Sequence, residues 1–440
     1  MIQYLFLTLL MTPLIWMLFL GASFFARLQV PEPILSDLVK WLSLLMVSLS
    51  ISLLGFIILG SGMVRVDLPD WIDIGTYVFK LRFQIDVLGC IYAILSSCLI
   101  GIIFRFSRNY LHKEEGYFRF IFLLSTLLFG LLIVCFARSL DLMFAGWELV
   151  GTTSVLLIGY FYTSTQPVRH ALKAIISYRL CDMGILAAAA WAHHYMHSTD
   201  WSMMPELITK SHASALVLAT TGGFIIWASL AKSGQLPFSS WLPTAMEGPT
   251  PSSAIFYGAL SVHLGPFLLL RFYDYFIHFP ILLWIIGAVG ALSALYASAV
   301  GRTRSDAKTM LAYATISQVG LIWVEIALGW THFAIFHIVA HASLRTWQFL
   351  RSASLIQDFF ENPVVVANTK IKRSFTFERM FSRERRSKIF IHALHGFHLD
   401  SFSNVMINLF CAPFKILKKI EFRVMETNNR LIKVIFGKQG

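Results

Sequence analysis

Residues 225–238 read IIWASLAKSGQLPF, and this stretch decides how the rest of the chain is interpreted. It closes an apolar run that begins near residue 214 and is long enough to cross a bilayer, which takes about 20 residues in a helix. The run ends on Lys232 and is followed by two small residues and by Pro237, which removes a backbone donor and breaks helices. The sequence therefore predicts a membrane helix, the seventh span of the chain, that is broken beside a buried lysine. Such a break needs protein or cavity water to satisfy the freed carbonyls, and it favours a hydrated ion site.

The composition excludes an ordinary soluble protein. Of the 440 residues, 57% are hydrophobic and 14% are charged, and the mean hydropathy is +0.67. A soluble domain has about 25% charged residues, and water-facing domains cannot bury so much apolar surface. The net charge of +12 favours basic cytoplasmic loops over a nucleic-acid partner. The five cysteines lack metal-ligand spacing, so we expect no disulfide framework, no metal site and no cofactor in this chain.

Apolar runs of spanning length recur along the chain and predict an all-α polytopic membrane protein with about eleven transmembrane helices. They centre on 4–26, 39–62, 84–104, 118–137, 139–161, 168–195, 214–233, 251–270, 281–300, 309–328 and 332–356. The first run is longer than a signal-peptide core and has no basic segment before it, so we expect it to be a retained span. Basic residues concentrate in the loops after spans three, five, nine and eleven, which places the N-terminus outside and the C-terminus in the cytoplasm.

Three regions are expected along the chain. Residues 1–83 hold spans one and two and the segment 64–83, whose alternation of apolar and polar residues around Gly75 predicts an extramembrane β-hairpin. Residues 84–358 hold the remaining spans and form the core. Residues 359–440 form a basic tail.

The basic tail carries most of the net charge. Residues 361–440 contain fifteen Lys or Arg and six Asp or Glu, which gives 15 − 6 = +9 of the total of +12. Residues 401–436 have helical amphipathic spacing. This pattern predicts an interfacial helix on anionic lipid headgroups or a docking surface for a cytoplasmic partner, and both can hold.

Charged or titratable side chains inside the spans are the main functional signal, because each costs several kcal/mol near the middle of a bilayer. They are Glu148, Arg179, Asp182, Lys232, His263, Glu325, His337, His341 and Arg345. Plainer interpretations exist for some of them. Arg179 and Asp182 could form a pair that only pins two helices together, and Lys232 could simply pair with Glu148. Glu325 lies near a span end and could reach water, and His263 could be a satisfied packing residue. Several spans that each hold one such group exceed what packing requires, so we interpret the set as an ion path.

Spacing links three of these residues. His337, His341 and Arg345 are four apart, so they line one face of a helix. A titrating imidazole next to a fixed cation suits a proton wire, because histidine gains and loses a proton near neutral pH.

The motifs that carry these residues resemble the antiporter-like, proton-conducting subunits of respiratory complex I and of multisubunit cation/proton antiporters. The matching stretches are GWELVG (146–151), AKSGQLPFSSWLPTAMEGPTPSSA (231–254), DAKTMLAYATISQVG (306–320) and HIVAHASLRTWQFL (337–350). The resemblance covers about residues 80–358, and it implies an antiporter-like fold in a bacterial inner membrane.

The resemblance also implies roles for individual positions. Glu148 resembles the glutamate that modulates the charge state of the span-seven lysine, here Lys232. Asp182 resembles the carboxylate that follows the span-six arginine, here Arg179. His263 occupies the place where many members have a lysine, so the position keeps a protonatable group whose ordinary pKa is about 6.5 instead of about 10.4.

The sequence departs from the family pattern in two ways. Arg345 stands where the histidine-rich helix has a lysine, and arginine is effectively always charged, so we expect a fixed electrostatic gate there. The chain also stops after about eleven spans, whereas complex I subunits have about three more and a lateral helix, so we expect the exit half of the channel to be absent or rebuilt from the tail.

These departures, together with SSAIFYGALSVHLGPFLLLR (252–271) and the basic tail, resemble one branch best: DabB, the membrane subunit of the DAB inorganic-carbon pump. That resemblance implies a cytoplasmic zinc-containing partner similar to DabA, docked on the cytoplasmic loops and tail, and membrane lipid as the other partner. It implies a transporter subunit that is not itself an enzyme and has no catalytic residues. A cation flux, of protons or Na⁺, would pass from Lys232 to His263 and on by His341 and His337, driving inorganic carbon accumulation. Two rivals stay open: a subunit of an NADH:quinone oxidoreductase or membrane-bound hydrogenase, and a purely structural membrane anchor.

Overall fold

The computed structural model describes residues 1–353, apart from 29, 74, 76, 77 and 211–213, and also residues 382–399, 405, 408, 409, 412 and 413. Two units emerge from the packing, Met1–Leu394 and His395–Gly440. The predicted amphipathic helix over 401–436 and most of the basic tail lie outside the described residues. In the first unit the described chain is mostly helical.

The N-terminal region consists of two long helices, a hairpin and a third helix. Their bounds are α1 Ile2–Phe25, α2 Glu32–Phe56, β1 Val64–Asp73, β2 Val78–Ile85 and α3 Val87–Tyr110. The strands pair antiparallel from Val64 opposite Ile85 to Asp73 opposite Val78, with irregular register near Asp70. Gly75 lies in the connection with a φ of +76°, a conformation that suits glycine. The predicted β-hairpin is therefore confirmed.

Twelve further helices form the core of the first unit, and one more, α16, follows. The core helices are α4 Tyr117–Phe136, α5 Leu140–Ile158, α6 Thr165–Met196, α7 Met204–Lys210, α8 Ala215–Lys232, α9 Trp241–Thr244, α10 Thr250–Ser253, α11 Leu260–Arg271, α12 Tyr273–Phe276, α13 Pro280–Gly301, α14 Ala307–Ala327 and α15 Thr331–Ser352, and α16 is Arg383–Leu394. A π-helical segment, Ala254–Ala259, joins α10 to α11 into one continuous span.

Ten of the described helices are long and apolar enough to cross a membrane. The eleventh expected span folds as α15, a helix of 22 residues, but it is not among the ten. Its three histidines and two arginines, among them the predicted path residues His337, His341 and Arg345, make it less apolar than the other spans. Its polar face needs protein neighbours, and the residues buried there include His341 and Arg345.

Side-chain caps fix where several helices begin. The Asp86 side chain accepts from the Gly89 amide at the start of α3, and the Asp306 side chain accepts from the Thr309 amide at the start of α14. Such caps satisfy backbone donors that a helix leaves free at its N-terminus. These two helices therefore start where the sequence offers an Asp followed by an apolar run.

The hairpin is fastened to the helical core by buried arginines. Arg138, which is 5% exposed, donates to Asp200 at 2.9 Å and to Asp67 of β1 at 2.8 Å. Arg271 at the end of α11 pairs with Asp86 just after β2. Ions buried in this way need partners, and each arginine has at least one carboxylate. The hairpin therefore marks one end of the bundle.

Burial within the bundle is uneven. In the span Thr250–Arg271 every residue of the most apolar stretch is buried, whereas about a quarter of the corresponding stretches of α1 and α2 is buried, 28% and 22%. The α10–α11 span is therefore the centre of the bundle, and α1 and α2 present most of their surface outward.

Candidate functional site

The lysine site begins at the end of α8. Lys232 is the last residue of that helix, and Gly234 follows with a φ of +60°. The Gln235 amide donates to the Leu230 carbonyl at 2.9 Å, and the Gly234 amide donates to the Ala231 carbonyl at 3.0 Å. These two bonds form a Schellman ending, in which a left-handed glycine reverses the chain.

The turn that follows is satisfied by protein groups. The Ala231 carbonyl also accepts from Trp241 Nε1 at 2.9 Å, and the Leu236 amide donates to Ser293 Oγ at 3.0 Å. Pro237 lies after this point, so the glycine ends the helix before the proline is reached. The predicted break at Pro237 is therefore corrected: α8 ends at the left-handed Gly234, three residues before the proline.

Lys232 itself is fully buried and surrounded by aromatic rings. Its Nζ donates to the Trp147 carbonyl at 3.3 Å and lies 4.3 Å from the centroid of the Tyr178 ring and 5.5 Å from that of Trp147. A methyl group added at Gly151 would lie 2.5 Å from Nζ. The ammonium group is therefore held by a carbonyl and two π faces, in a space that exists because residue 151 has no side chain.

Two carboxylates lie near the lysine but have other partners. Glu148 forms an ion pair with Arg179, and Asp182 accepts from Trp147 Nε1 at 2.6 Å. Neither carboxylate forms a direct ion pair with Lys232 among the described residues. The two pairings left open by the sequence, Arg179 with Asp182 and Lys232 with Glu148, are therefore not those the structure adopts.

The histidine site is built on α11 and α15. His263 is fully buried one turn after the π-helical segment, and its Nδ1 faces the Ala259 carbonyl oxygen. Its Nε2 lies 2.9 Å from Nδ1 of His341. The rings cross at 65° with centroids 5.1 Å apart, so this is an edge contact suited to a hydrogen bond.

Hydrogen-bond roles in this site follow from the fixed groups at its two ends. The Ala259 carbonyl can only accept, so His263 Nδ1 carries a hydrogen and donates to it. Arg345 Nε can only donate, and it lies 3.3 Å from His341 Nε2, which therefore accepts. His341 Nδ1 then donates to His263 Nε2 with both imidazoles neutral and every ring nitrogen satisfied. The result is a chain of three bonds that all point from the arginine toward α11.

His337 continues the site one turn earlier on α15. Its ring centroid lies 6.1 Å from that of His341. Its Nδ1 is 2.8 Å from a carboxylate oxygen of Glu325, and its Nε2 is 3.1 Å from the side-chain oxygen of Gln318. A charged imidazole donates in both contacts. A neutral imidazole satisfies both once the side-chain amide of Gln318 is rotated by 180°, so that its NH₂ group donates to Nε2. Glu325 is only 8% exposed, so it meets a histidine inside the protein and does not simply reach water.

The two sites approach each other where α8 ends. A side chain at Gly265 would overlap Ser233 Oγ, so the turn after Lys232 packs directly on α11 two residues beyond His263. The hydroxyls of Ser233 and Tyr257 are buried here without a hydrogen-bond partner among the described residues. Buried polar atoms of this kind are usually satisfied by ordered water.

Sequence reasoning selected the charged residues and missed the uncharged ones that hold them. Trp147 and Gly151 flank Glu148 in GWELVG, and Tyr178 precedes Arg179. Residue 151 was detectable, because a glycine three positions from Glu148 on a membrane helix indicates close approach by another group. Gln318 gave no such signal, because its partner comes from a different helix.

The transmembrane family described as NADH:quinone oxidoreductase/Mrp antiporter, TM, matches residues 137–373, more than half of the chain. The chain belongs to this family. A second family, NADH-ubiquinone oxidoreductase (complex I) chain 5 N-terminus, matches residues 71–121. The two matches together include every site residue described above.

Curated relatives point the same way. NADH-ubiquinone oxidoreductase chain 5 of Dugong dugon is 35% identical over 65% of this chain and 46% of its own length. The chain 5 of Mus musculus is 32% identical over the same share of each chain, 65% and 46%. The chloroplastic NAD(P)H-quinone oxidoreductase subunit 5 of Anthoceros angustus is 31% identical over 67% of this chain and 41% of its own. This family member therefore spans about half the length of the curated relatives it matches.

Solved structures share the fold. A chain in the Mrp complex of Dietzia sp. DQ12-45-1b superposes with a TM-score of 0.64 at 24% identity, over 72% of this chain and 35% of that one. A chain in the membrane-bound sulfane sulfur reductase, an archaeal respiratory membrane complex, superposes with a TM-score of 0.67 at 17% identity, over 80% and 56%. The predicted antiporter-like fold is confirmed, and the chain is an antiporter-like membrane subunit of the complex I/Mrp type.

Proposed function

We propose that this chain carries protons through the membrane along a path from Lys232 to His263, and on by His341 and His337. The observation that carries the proposal is the 2.9 Å contact between the imidazoles of His263 and His341 inside the bundle. Imidazole exchanges protons near neutral pH, and two rings in hydrogen-bond contact can pass one between them. Protons fit this contact better than Na⁺ does, because hard cations bind oxygen ligands and the contact joins two nitrogens.

Lys232 is the entry station of this path. Its neighbours stabilise the ammonium group without neutralising it, because the nearest contacts are a carbonyl and two rings. Glu148 tunes the charge of the lysine by Coulomb attraction at a distance, and its pairing with Arg179 limits that attraction. Asp182 supplies a second negative charge, oriented by Trp147. A shift of Arg179 away from Glu148 would therefore favour protonation of Lys232.

Arg345 sets the resting polarity of the path. As a permanent donor it holds His341 Nε2 in the accepting role, which orients every bond toward α11. A proton that passes from His263 to His341 must reverse this polarity, and the fixed positive charge of the arginine then favours its departure to His337. Glu325 stabilises a proton on His337 at the other end.

We propose that the chain works as a subunit of a multisubunit complex in a bacterial inner membrane, with its N-terminus outside and its C-terminus in the cytoplasm. The similar solved chains come from an Mrp complex and a respiratory membrane complex, which supports the assembly. Under this orientation the hairpin end of the bundle faces the outside of the cell. The basic residues around the turn from α3 to α4, Arg105, Arg108, Lys113 and Arg119, then lie at the cytoplasmic end.

Two coupling partners are proposed for this complex. The first is a DabA-like zinc subunit, so that proton flux drives inorganic carbon (CO₂ or bicarbonate) accumulation; the Arg345 variant and the basic tail support it. The second is a set of NADH:quinone oxidoreductase or hydrogenase subunits, so that electron transfer drives the same path; the names of the curated relatives support it. The proposed proton path is the same with either coupling partner.

Proton uptake by vesicles that contain the tagged complex tests the proposed proton path. Lys232→Ala and His263→Ala should each lower the rate of proton uptake by more than about 100-fold, which is the effect of removing a positioned proton-transfer group. Lys308→Ala, which removes a lysine outside the path, is the matched control and should leave uptake unchanged. Wild-type uptake in the two site variants at normal expression would overturn the path.

Purification of the tagged chain with its partners separates the two couplings. A co-purifying zinc protein, together with failure of the Lys232→Ala strain to grow in air without added CO₂, identifies the carbon pump. Co-purifying dehydrogenase subunits and quinone-dependent uptake identify the oxidoreductase. If the partner keeps full activity after the buried charges of this chain are neutralised, the chain is a structural anchor. Both proposed couplings would then be wrong.

A further inference from the structure

A groove of about 730 Å³ opens between α2 and α3, away from the lysine and histidine sites. Lys40, Leu44 and Val47 of α2 line one wall, and Cys98, Ile102 and Arg105 of α3 line the other. Each set recurs every three or four residues, so each wall is one face of a helix. The groove lies at the periphery of the bundle, where most of the α2 surface is not buried against other helices.

The groove is polar at one end and apolar along the rest. The two helices run antiparallel, since Arg108 near the end of α3 pairs with Asp37 near the start of α2 at 3.4 Å. Lys40 and Arg105 therefore lie at the same end, and from Lys40 to Val47 the wall descends about 10 Å at 1.5 Å per residue. An elongated amphipathic ligand with a negative head matches this shape.

The floor of the groove is made of small residues. A Cβ added at Gly101 would lie 3.1 Å from the Ser43 Cβ, so the two helices touch there. The walls above the floor remain open, because Leu44 is 51% exposed and Ile102 is 50% exposed. The slot is therefore open sideways, in the direction from which a lipid would enter.

The two cations at the head of the groove have no acidic partner among the described residues. Lys40 lies over the ring of Trp41, 5.4 Å from its centroid, and the carboxylates at this end have other partners, Asp37 with Arg108 and Glu32 with His112. Two uncompensated positive charges at the mouth of an apolar slot complement one phosphate.

We propose that this groove binds one anionic phospholipid, with the phosphate between Lys40 and Arg105 and an acyl chain along Leu44, Val47 and Ile102. Charge complementarity selects an anionic headgroup over a zwitterionic one, and the apolar walls select a lipid over free phosphate. The site needs only that the chain spans a membrane, so it stands or falls separately from proton conduction.

Native mass spectrometry of the purified complex, released from nanodiscs with equal phosphatidylglycerol and phosphatidylcholine, tests the site. The wild type should retain one phosphatidylglycerol, and Lys40→Gln/Arg105→Gln should retain about 30-fold less, the effect of two lost cations near a phosphate. Arg169→Gln/Lys308→Gln removes the same charge from the starts of α6 and α14, at the same end of the bundle, and should retain lipid as the wild type does. Val47→Trp fills the slot with both cations in place and should lose the lipid while keeping its melting temperature.

Four results would overturn the proposal. Equal retention of the two lipids excludes charge selection, and equal loss in both double variants excludes this groove. Displacement of the lipid by millimolar inorganic phosphate, or a partner helix found cross-linked to residue 47 in its place, assigns the groove to a different occupant.

Discussion

The lysine site and the histidine site differ in how their charges meet. At the lysine site Lys232, Glu148 and Asp182 do not contact one another: Lys232 meets a carbonyl and two rings, Glu148 meets Arg179, and Asp182 meets an indole. At the histidine site the titratable groups contact each other directly, His263 with His341 at 2.9 Å. Both sites are buried in the same bundle, so burial alone does not explain the difference.

The difference indicates two mechanisms of proton movement. Groups that are separated from each other need mobile water or side-chain motion to exchange a proton, so the lysine site can hold a charge and respond to nearby carboxylates. Groups in direct contact exchange a proton by small shifts within existing bonds, so the histidine site can pass a charge quickly. We therefore expect contact-breaking changes to be severe at the histidine site, and changes in space or charge to act more gradually at the lysine site.

The largest effect is expected from His341→Phe, which keeps a ring of similar size and removes both bonds of the middle histidine. Proton uptake by vesicles should fall by more than about 100-fold, because no group remains to bridge His263 and Arg345. His332→Phe, at the start of the same helix and away from the site, is the control and should leave uptake unchanged. Wild-type uptake in the first variant would show that the two rings are in contact without being used.

A smaller effect is expected from Gly151→Ala at the lysine site. The added methyl would lie 2.5 Å from Lys232 Nζ and must displace the ammonium group from its carbonyl and rings. Such overpacking costs about 1–3 kcal/mol, so uptake should fall by about 10-fold while the complex still assembles. Gly223→Ala on α8 meets nothing within 4 Å and is the matched control. An unaffected Gly151→Ala rate would mean that the position of Lys232 in this cage is not what matters.

The contrast between the sites also shows what could be predicted from the sequence. Apolar length and periodicity predict the helices well, and alternation around Gly75 predicts the hairpin, because both patterns depend on neighbours along the chain. The spacing of His341 and Arg345 predicts their contact for the same reason. The pairing of Glu148 with Arg179 joins two helices, as does that of His337 with Glu325, and no local pattern specifies which of several carboxylates a cation meets.

The end of α8 illustrates the same limit at the level of one turn. Proline is the stronger helix breaker, so the sequence favoured Pro237 as the cause of the break. The Schellman ending at Gly234 uses two backbone bonds that form before the chain reaches the proline. Both signals are present in SGQLP, and only the observed bonds decide between them.

Arg345→Lys is expected to lower proton uptake by about fivefold. Lysine keeps the positive charge but loses the planar fork that donates to His341 and Gln348 at once. The imidazoles then lose their fixed polarity, so uptake and release should become more nearly equal in rate when the gradient is reversed. Arg351→Lys, six residues further along α15, is the control. A variant that keeps the wild-type ratio of the two rates would show that charge alone orients the chain.

The smallest effect is expected from Glu325→Gln, which keeps a hydrogen-bond acceptor at 2.8 Å from His337 and removes its negative charge. A charged His337 then loses its counter-ion, so the neutral ring with a turned-over Gln318 becomes the favoured arrangement. Uptake should fall by about threefold, and the ¹⁵N shifts of His337 should change from those of an imidazolium to those of a neutral ring. Glu325→Asp keeps the charge and should keep the imidazolium shifts. Neutral-ring shifts already present in the wild type would place His337 in the same class as His263 and His341, and the carboxylate would then position the ring without stabilising its charge.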